Sequence, residues 1–301
     1  MKKTLALLCL YGTIVAMGFS TAVAQAKTIL QTSGNGQTDT VSTSLSQPFV
    51  VTITDSLGTP VSGVAVNFAL TGAPSGAAGQ SLSITAMNTD LNGRASTLLT
   101  LGSKVGLYSV SASSDGLVGN PIGFTAMAIA GPAKNITITS GDGQSGQVTT
   151  ALANPFVVTV TDATGNPVAG RSVTFAVVPP ANGATLSVMA VNTDTLGQAK
   201  SGLTLGTKKG TYLVTATSSG LTGSPVTFTS TANPGPATKV TIETAADGLG
   251  TLLLPQNLQS GSSLTGYAIT RDVYDNFVAN AQADSFYLFS KSGGVDKSTD
   301  L

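Results

Sequence analysis

The stretch Pro48-Phe-Val-Val-Thr-Ile-Thr-Asp-Ser-Leu-Gly-Thr-Pro-Val61 returns as Pro155-Phe-Val-Val-Thr-Val-Thr-Asp-Ala-Thr-Gly-Asn-Pro-Val168, 107 residues further along the chain. A repeat of that length is a whole domain, too long for the supersecondary unit of a solenoid. Apolar and polar residues alternate before the Asp, which predicts a strand with one buried face. The following Asp-x-x-Gly-x-Pro predicts a chain reversal, because Asp can bond backbone amides, Gly accepts positive φ and Pro ends the ladder.

Further motifs extend the repeat over both copies. The second copy is three residues shorter before Asn192, which predicts a loop where the first copy has Ala73–Gly79. We expect the strand after each turn, over 64–70 or 172–178, to complete a hairpin, and Gly131-Pro-Ala133 and Gly235-Pro-Ala237 to be joints between modules. The remaining repeated pairs are Ser33–Gln37 with Ser140–Gln144, Asn88–Gly93 with Asn192–Gly197, Leu99–Gly102 with Leu203–Gly206, and the strands from Pro121 and Pro225.

The pattern predicts an all-β chain of tandem immunoglobulin-like sandwiches arranged as an elongated array. About seven short strands in about 105 residues, with turn signals between them, are typical of this fold, with a barrel as the alternative. The predicted divisions are a signal peptide over 1–26, a first module over 27–131, a second over 132–235, and a partial, divergent third module over 236–301.

The third copy begins but lacks the later motifs. Lys239–Glu243 echoes the start of the second module, and Asp272-Val-Tyr-Asp-Asn-Phe-Val278 echoes the turn at Asp162, with Asp275 in place of the turn Gly. The larger residues before Asp272 are one step out of phase, which a bulge or a shifted alignment would explain. We expect a fragment of a longer protein, the alternative being a poorly packed final segment.

The first residues predict export. Lys2 and Lys3 precede the apolar run Leu5–Val15, and Ala-x-Ala patterns end at Ala24 and Ala26, as in a cleaved signal peptide. Cys9 lies early in the apolar run, where an ordinary apolar residue is expected and a lipoprotein cysteine is not. The predicted location is therefore the extracellular space or the bacterial cell surface, with association with the outer membrane included.

Composition excludes several classes of function. The chain has no His and only Cys9, so Ser-His-Asp and Cys-His nucleophile systems and ordinary zinc sites are excluded. With 14 basic and 14 acidic residues and no basic cluster, it is not expected to bind nucleic acid or anionic membranes. No other apolar run reaches the length of a membrane-spanning helix. We predict no enzyme activity, no cofactor, and no catalytic, cofactor-binding or metal-binding residues.

The acidic residues are interpreted as turn residues. Asp55, Asp90, Asp162 and Asp194 occupy repeated turn positions, so an acid pair for glycoside cleavage is not expected. Calcium binding is the alternative, with Asp115, Asp142 and above all the stretch Asp272–Asn276 as candidates.

Two other stretches have a functional and a structural interpretation. Ser140–Gly146 lacks the Gly-Lys-Ser/Thr of a phosphate loop and is predicted to be a flexible connector. Tyr108 and Tyr212 are predicted to pack in the core, since both are in phase with apolar strand positions and the chain lacks Trp for a sugar platform. The aromatic residues of the third segment suggest either a binding surface or an incomplete core: Tyr267, Tyr274, Phe277, Tyr287 and Phe289.

The ordered motifs Asp-x-x-Gly-x-Pro-Val, Asn-Thr-Asp-x-x-Gly, Leu-Thr-Leu-Gly and Gly-x-Tyr-x-Val-x-Ala resemble the bacterial Ig-like domains of group 1, the repeated modules of invasin- and intimin-type adhesins. The resemblance covers residues 30–235 and part of 236–301, and it implies a surface-exposed stalk without catalytic residues. The matching positions are Asp55, Gly58, Pro60, Val61, Asn88, Asp90, Gly93, Leu99, Gly102, Gly106, Tyr108, Val110 and Ala112, and then Asp162, Gly165, Pro167, Val168, Asn192, Asp194, Gly197, Leu203, Gly206, Gly210, Tyr212, Val214 and Ala216.

We therefore expect a non-catalytic spacer or adhesion stalk whose stiff joints contain Pro132 and Pro236. Its partner would be a host-cell protein, another cell-surface protein or a glycan. The alternative is an accessory region of a larger extracellular enzyme or polysaccharide-binding protein. The residues predicted to form the cores are Phe49, Val51, Ile53, Phe68 and Tyr108, and Phe156, Val158, Val160, Phe175 and Tyr212.

Overall fold

A computed structural model of the protein describes residues 27–257, 259 and 262–281. The predicted signal peptide with Cys9, and the aromatic residues Tyr287 and Phe289, lie outside these described residues. The chain forms two compact units that divide between Ile129 and Ala130. The predicted module boundaries at 131 and 235 stay predictions.

The first unit is a sandwich of two main sheets. A three-stranded sheet has the order β1-β3-β7, a five-stranded sheet has the order β2-β10-β9-β4-β6, and β5 pairs with β8. All neighbours are antiparallel except β10 and β2, which are parallel. The strands are β1 (Thr28–Ser33), β2 (Gln37–Thr40), β3 (Phe49–Thr54), β4 (Ala65–Gly72), β5 (Ser81–Leu82), β6 (Ala86–Asn88), β7 (Arg94–Thr97), β8 (Leu99–Thr100), β9 (Gly106–Ser113) and β10 (Ile122–Ile129).

The second unit opens with the same arrangement, which we call the second sandwich. Its sheets have the orders β11-β13-β17, β12-β20-β19-β14-β16 and β15-β18, and β12 again runs parallel to β20. The strands are β11 (Asn135–Ser140), β12 (Gln144–Gln147), β13 (Phe156–Thr161), β14 (Ser172–Val177), β15 (Thr185–Leu186), β16 (Ala190–Asn192), β17 (Gln198–Ser201), β18 (Leu203–Thr204), β19 (Gly210–Thr217) and β20 (Val226–Asn233).

Alternating apolar residues build the core of each sandwich, as predicted. In β3 every second side chain is buried and the others are partly buried, and β13 follows the same pattern except that Val157 is buried as well. Phe49 stacks on Phe124 at a ring distance of 4.8 Å, and Phe156 stacks on Phe228 at 4.6 Å. Each pair joins the two sheets and adds about 0.5–1.5 kcal/mol to the burial of its rings. All ten predicted core residues are buried.

The predicted hairpins after the Asp turns are wrong. β3 ends at Thr54, the chain reverses, and Thr54 forms a single bridge with Pro60. The next strand, β4, then lies in the five-stranded sheet and pairs with β6 and β9. The turn therefore carries the chain from one sheet to the other, as in the interlocked strand order of an immunoglobulin-like sandwich.

The stretch Ser140–Gly146 is not a flexible connector as predicted, because its ends belong to β11 and β12 and only residues 141–143 form a tight turn between them. Gly141 has a φ of 92°, and a Cβ on it would collide with the carbonyl oxygen of Pro155. The Asp142 Oδ1 accepts a hydrogen bond of 2.7 Å from the Thr229 amide. Asp142 thus fixes this turn against the neighbouring strand β20.

The Leu-Thr-Leu-Gly motif provides space for the buried tyrosines. The Tyr108 hydroxyl donates to the Lys104 carbonyl at 2.9 Å, and the Tyr212 hydroxyl to the Lys208 carbonyl at 2.8 Å. A Cβ on Gly206 would lie 2.7 Å from the Tyr212 Oη and would also overlap a backbone oxygen. Glycine is needed at this position because the tyrosine hydroxyl approaches the backbone closely.

The third segment, residues 236–281, forms an antiparallel three-stranded sheet of order β21-β22-β23. The register between β22 and β23 shifts between Thr270 and Arg271. Of the two explanations offered for the out-of-phase residues before Asp272, this strand pair therefore shows the bulge. Ile269 is its one fully buried large hydrophobic side chain among the described residues, whereas Val240 and Leu252 are more than half exposed. The strands are β21 (Lys239–Glu243), β22 (Tyr267–Arg271) and β23 (Phe277–Asn280).

The close packing at Gly206 generates a stability prediction. Gly206→Ala should destabilise the second sandwich by about 1–3 kcal/mol, because the added methyl displaces the Tyr212 hydroxyl or the facing loop. Gly202→Ala is the matched control, since its nearest neighbour would be the Ser187 Oγ at an ordinary 3.5 Å. Pulse proteolysis in urea measures both. Equal midpoints for the two variants would contradict the interpretation.

Candidate functional site: the joint between the second sandwich and the third segment

The four predicted turn acids have the same local geometry, which confirms their structural role. One oxygen of each carboxylate accepts backbone amides two and four residues ahead, and the Gly between them has positive φ. The accepted amides belong to Leu57 and Thr59 for Asp55, Asn92 and Arg94 for Asp90, Thr164 and Asn166 for Asp162, and Leu196 and Gln198 for Asp194, at 2.8–2.9 Å.

The third segment keeps this turn although it lacks the Gly. Asp272 Oδ1 accepts the amides of Tyr274 and Asn276, each at 2.9 Å. Asp275 occupies the Gly position with a φ of 66°. Asp is among the few residues that tolerate the left-handed region, so the turn survives the substitution.

The second oxygen of Asp272 holds the joint. Asp272 is fully buried, and its Oδ2 accepts the Gly235 amide at 2.9 Å and the Asn276 Nδ2 at 2.8 Å. Gly235 lies in the segment Pro234–Thr238, which links β20 to β21. One carboxylate therefore shapes the turn with one oxygen and anchors the linking segment with the other.

Asn276 connects the turn to the loop between β18 and β19. Its Nδ2 donates to the Thr207 carbonyl at 2.8 Å, and its Oδ1 accepts the Lys209 amide at 2.9 Å. The carboxamide is buried and pairs with the backbone of this loop through one donor and one acceptor. Buried hydrogen bonds of this kind are costly to break, because each broken bond leaves an unsatisfied polar group.

Two lysines add contacts around the rim of the joint. Lys208 Nζ donates to the Tyr274 carbonyl at 2.7 Å, and Lys209 Nζ donates to the Phe277 carbonyl at 3.2 Å. The Lys209 ammonium also lies 4.7 Å from the centre of the Phe277 ring. Such a cation–π contact contributes about 0.5–1 kcal/mol at an exposed site. Phe277 thus covers the joint, and the ring sits beneath a lysine of the second sandwich.

A buried ion pair supports the turn from within the third segment. Arg271 donates from Nε to Glu243 Oε1 at 2.5 Å and from Nη2 to Oε2 at 2.7 Å. Its Nη1 also donates to the carbonyl of Asp275 at 2.7 Å. The hydrogen bond from Arg271 lowers the pKa of Glu243, and the same contact raises the pKa of Arg271. The guanidinium therefore connects β21, β22 and the turn.

The turn at Asp162 has the same second-oxygen contacts. Asp162 Oδ2 accepts the Gly131 amide at 3.0 Å and the Asn166 Nδ2 at 2.9 Å. Burial alone would raise the pKa of Asp162, but hydrogen bonds from Asn166 and Gly131 outweigh it and lower the pKa to about 2. The pKa of Asp272 is lowered by equivalent hydrogen bonds against the same effect of burial. Both acids are held as carboxylates at neutral pH.

The candidate calcium ligands of the stretch Asp272–Asn276 are engaged in other contacts, as is Asp142, whose Oδ1 accepts the Thr229 amide. Both oxygens of Asp272 accept hydrogen bonds, and Asp275 pairs with Lys239 at the surface. No group of three or more acidic residues within 27–257, 259 and 262–281 is placed to hold a metal ion. The prediction that the chain has no metal, cofactor or catalytic residues stays a prediction.

An open apolar groove of about 450 Å³ lies on the second sandwich beside β14. Its lining includes Val177, Leu186 and Met189 and has no titratable side chain. The groove lining therefore lacks the titratable groups that general acid–base catalysis by side chains requires. In the described part of the chain, no helix is long and apolar enough to cross a membrane.

The sequence did not predict the roles of Asn276 and the loop 207–209. A signal was present, because Asn166 and Asn276 both stand four residues after the turn Asp, where the first sandwich has Thr59. The Lys208–Lys209 pair was also present, but nothing local connects it to a turn 67 residues away.

Comparison with known proteins supports the predicted resemblance. Residues 151–231 match the family model of the bacterial Ig-like domain (group 1). The inverse autotransporter adhesin YeeJ of Escherichia coli strain K12 is 35% identical over 178 residues, which cover 58% of this chain and 7% of YeeJ. The solved structure of the Escherichia coli adhesin FdeC has a TM-score of 0.50 at 18% identity, covering 83% of this chain and 74% of that chain.

These comparisons establish different things. The family model matches residues 151–231 of the second sandwich, and the FdeC structure has the same type of fold. The chain spans only 7% of the length of the YeeJ relative.

The lowered pKa of Asp162 generates a pH prediction. A carboxyl with a depressed pKa stabilises the fold above its unfolded pKa, and this contribution is lost as the pH falls through about 2. Asp162→Asn should therefore destabilise the second unit by about 2 kcal/mol at neutral pH. The difference from wild type should vanish as the pH falls from about 4 towards about 2.

Urea unfolding of the second unit over this pH range measures the effect. The control is Asp194→Asn, since Asp194 makes the same turn contacts in the same unit but is exposed. We expect a smaller loss for the control. A loss for Asp162→Asn that stayed constant down to pH 2 would show that the carboxylate charge is not the stabilising feature.

Proposed function

We propose that this chain, whose second sandwich is a bacterial Ig-like domain of group 1, is a non-catalytic spacer in an adhesion stalk of the invasin and intimin type. The function is mechanical: folded modules joined by short, hydrogen-bonded segments hold another part of the protein away from the cell. We place it at the bacterial surface or in the extracellular space. Host-cell proteins, other cell-surface proteins or glycans would be the partners of the adhesin as a whole, bound by the part of the protein that this spacer holds outward.

The joint at Asp272 and Asn276 carries this proposal. A spacer transmits orientation only if its joints resist rotation, and a flexible linker of five residues would not do so. Here the linking segment is anchored at Gly235 by Asp272, and the turn grips the 207–209 loop through Asn276. These bonds fix the third segment on the second sandwich at several separate points.

The chemistry of the described residues supports a passive role. The acids with lowered pKa values serve the joints, the turn and the buried ion pair. The tyrosines predicted to be core residues are buried, so they form no sugar platform. The adhesin relative at 35% identity agrees with a stalk, and no observation favours an accessory region of an enzyme.

Solution scattering provides the first test. The full chain without residues 1–26 should give an elongated particle, with a maximum dimension well above that of one sandwich, because Pro132 and Pro236 and the anchored joints limit folding back. The control is Gly235→Ser/Pro236→Ser, which loosens one joint and should broaden the distance distribution. A compact particle for the wild-type chain would refute the spacer model.

Adhesion provides the second test. The purified chain should show no saturable binding to host-cell surfaces or glycan arrays, because a spacer presents a binding part located elsewhere. The full-length adhesin should bind cells and lose adhesion when this region is deleted, and regain it when an unrelated spacer of equal length replaces the region. Specific binding by one loop of this chain would contradict a passive role.

A further inference from the structure

The turns at Asp55, Asp162 and Asp272 differ at one position whose side chain does not help to close the turn. The fourth residue after the Asp is Thr59 in the first turn, Asn166 in the second and Asn276 in the third. All three residues donate their backbone amide to the Asp Oδ1 at 2.9 Å. The backbone amide of each residue thus closes the turn, and its side chain can make contacts beyond the turn.

Both the amide nitrogen and the carbonyl oxygen of the Asn276 side chain are hydrogen-bonded at the joint. Its Nδ2 donates to Asp272 Oδ2 and to the Thr207 carbonyl, both at 2.8 Å, while its Oδ1 accepts the Lys209 amide at 2.9 Å. A carboxamide offers two N–H donors and an acceptor oxygen on one plane. A Thr hydroxyl has a single donor on a shorter stem, so it cannot make these three bonds together.

Burial of the turn follows the identity of this residue. Asp162 and Asp272 are at most 1% exposed, and Asn166 and Asn276 at most 5%. Thr59 is exposed and Asp55 is half-buried. Among the described residues, no hydrogen bond reaches the second carboxylate oxygen of Asp55, whereas that oxygen holds a glycine amide in the two turns with Asn.

We propose that the Asp-x-x-x-Asn pair is a docking lock, by which a module grips the loop of the module before it, and that Thr59 leaves the first sandwich without this lock. The partner of the lock is the backbone of a Gly-x-Lys-Lys-Gly loop, seen here as Gly206–Gly210. The inference deepens the proposed spacer function by naming the residue that fixes a joint. It predicts that the turn at Asp55 in the first sandwich does not hold a neighbouring module through a side chain at position 59.

The lock is tested by Asn276→Thr, which imports the residue of the first turn. Thr59 occupies this position in an intact turn, so the substitution is compatible with the local fold. The measurement is amide hydrogen exchange by NMR on the full chain. We expect the Lys209 amide, which loses its acceptor, to exchange about tenfold faster or more. The amides of Tyr212 and Ile269 should keep their protection, because the sandwich and β22 remain folded.

Two control variants separate the lock from its surroundings. Asn280→Thr makes the same chemical change at an exposed position of β23 and should leave the exchange of the Lys209 amide unchanged. Lys209→Ala removes the contacts with Phe277 but keeps the backbone amide, so residue 209 should lose much less protection than in Asn276→Thr.

Three other outcomes would contradict the proposal that Asn276 docks the third segment on the loop 207–209. Unchanged exchange at Lys209 in Asn276→Thr would show that the carboxamide does not hold the loop. Equal effects of Lys209→Ala and Asn276→Thr would assign the joint to the lysine. Lost protection at Ile269 would mean that Asn276 maintains the third segment itself and not its docking. The scattering and adhesion tests measure particle shape and cell binding, so they decide the spacer function separately from the exchange of a single amide.

Discussion

The two oxygens of a buried aspartate carboxylate are the feature on which the modular construction depends. In the turns at Asp162 and Asp272, Oδ1 closes the turn and Oδ2 holds a joint glycine. A buried charge is tolerated only when hydrogen bonds replace its lost hydration, and here five donors supply them at Asp162 and four at Asp272. Local folding and attachment of the linking segment are therefore coupled through a single side chain, and neither can be changed without affecting the other.

Local features of the sequence predicted much of the fold. The alternation of Phe49–Thr54 and its repeat marks strands with one buried face, because burial on one side of a strand leaves a period of two. The turn acids and glycines were also predictable, since their chemistry involves neighbours within four residues. The crossing of β4 to the second sheet was not, because the turn at Asp55 has the same local chemistry whether the chain pairs back or crosses over. The partner of Asn276 was hidden for the same reason, since it lies far away in sequence.

Close packing accounts for the motifs that carry no chemistry. Leu205 lies in the core, Gly206 leaves room for the Tyr212 hydroxyl, and that hydroxyl ties β19 to the preceding loop at Lys208. The same loop then offers the Lys209 amide and the Thr207 carbonyl to Asn276. The tyrosine that stabilises one module thus also positions the backbone that the next segment grips. The loop 207–209 therefore belongs both to the packing of the second sandwich and to its joint with the third segment, so the Leu-Thr-Leu-Gly motif that precedes the loop affects both.

The type of contact at the joint suits a surface spacer. The buried bonds of the joint connect the side chains of Asp272 and Asn276 to backbone groups. These side chains are short and have few rotatable bonds, so fixing them costs little conformational entropy. The ion pair of Arg271 and Glu243 is buried inside the third segment, and the exposed lysines only supplement the joint. Buried hydrogen bonds are screened by salt much less than exposed charge pairs. A joint built this way keeps its geometry as the ionic strength changes, which a joint made of surface ion pairs would not.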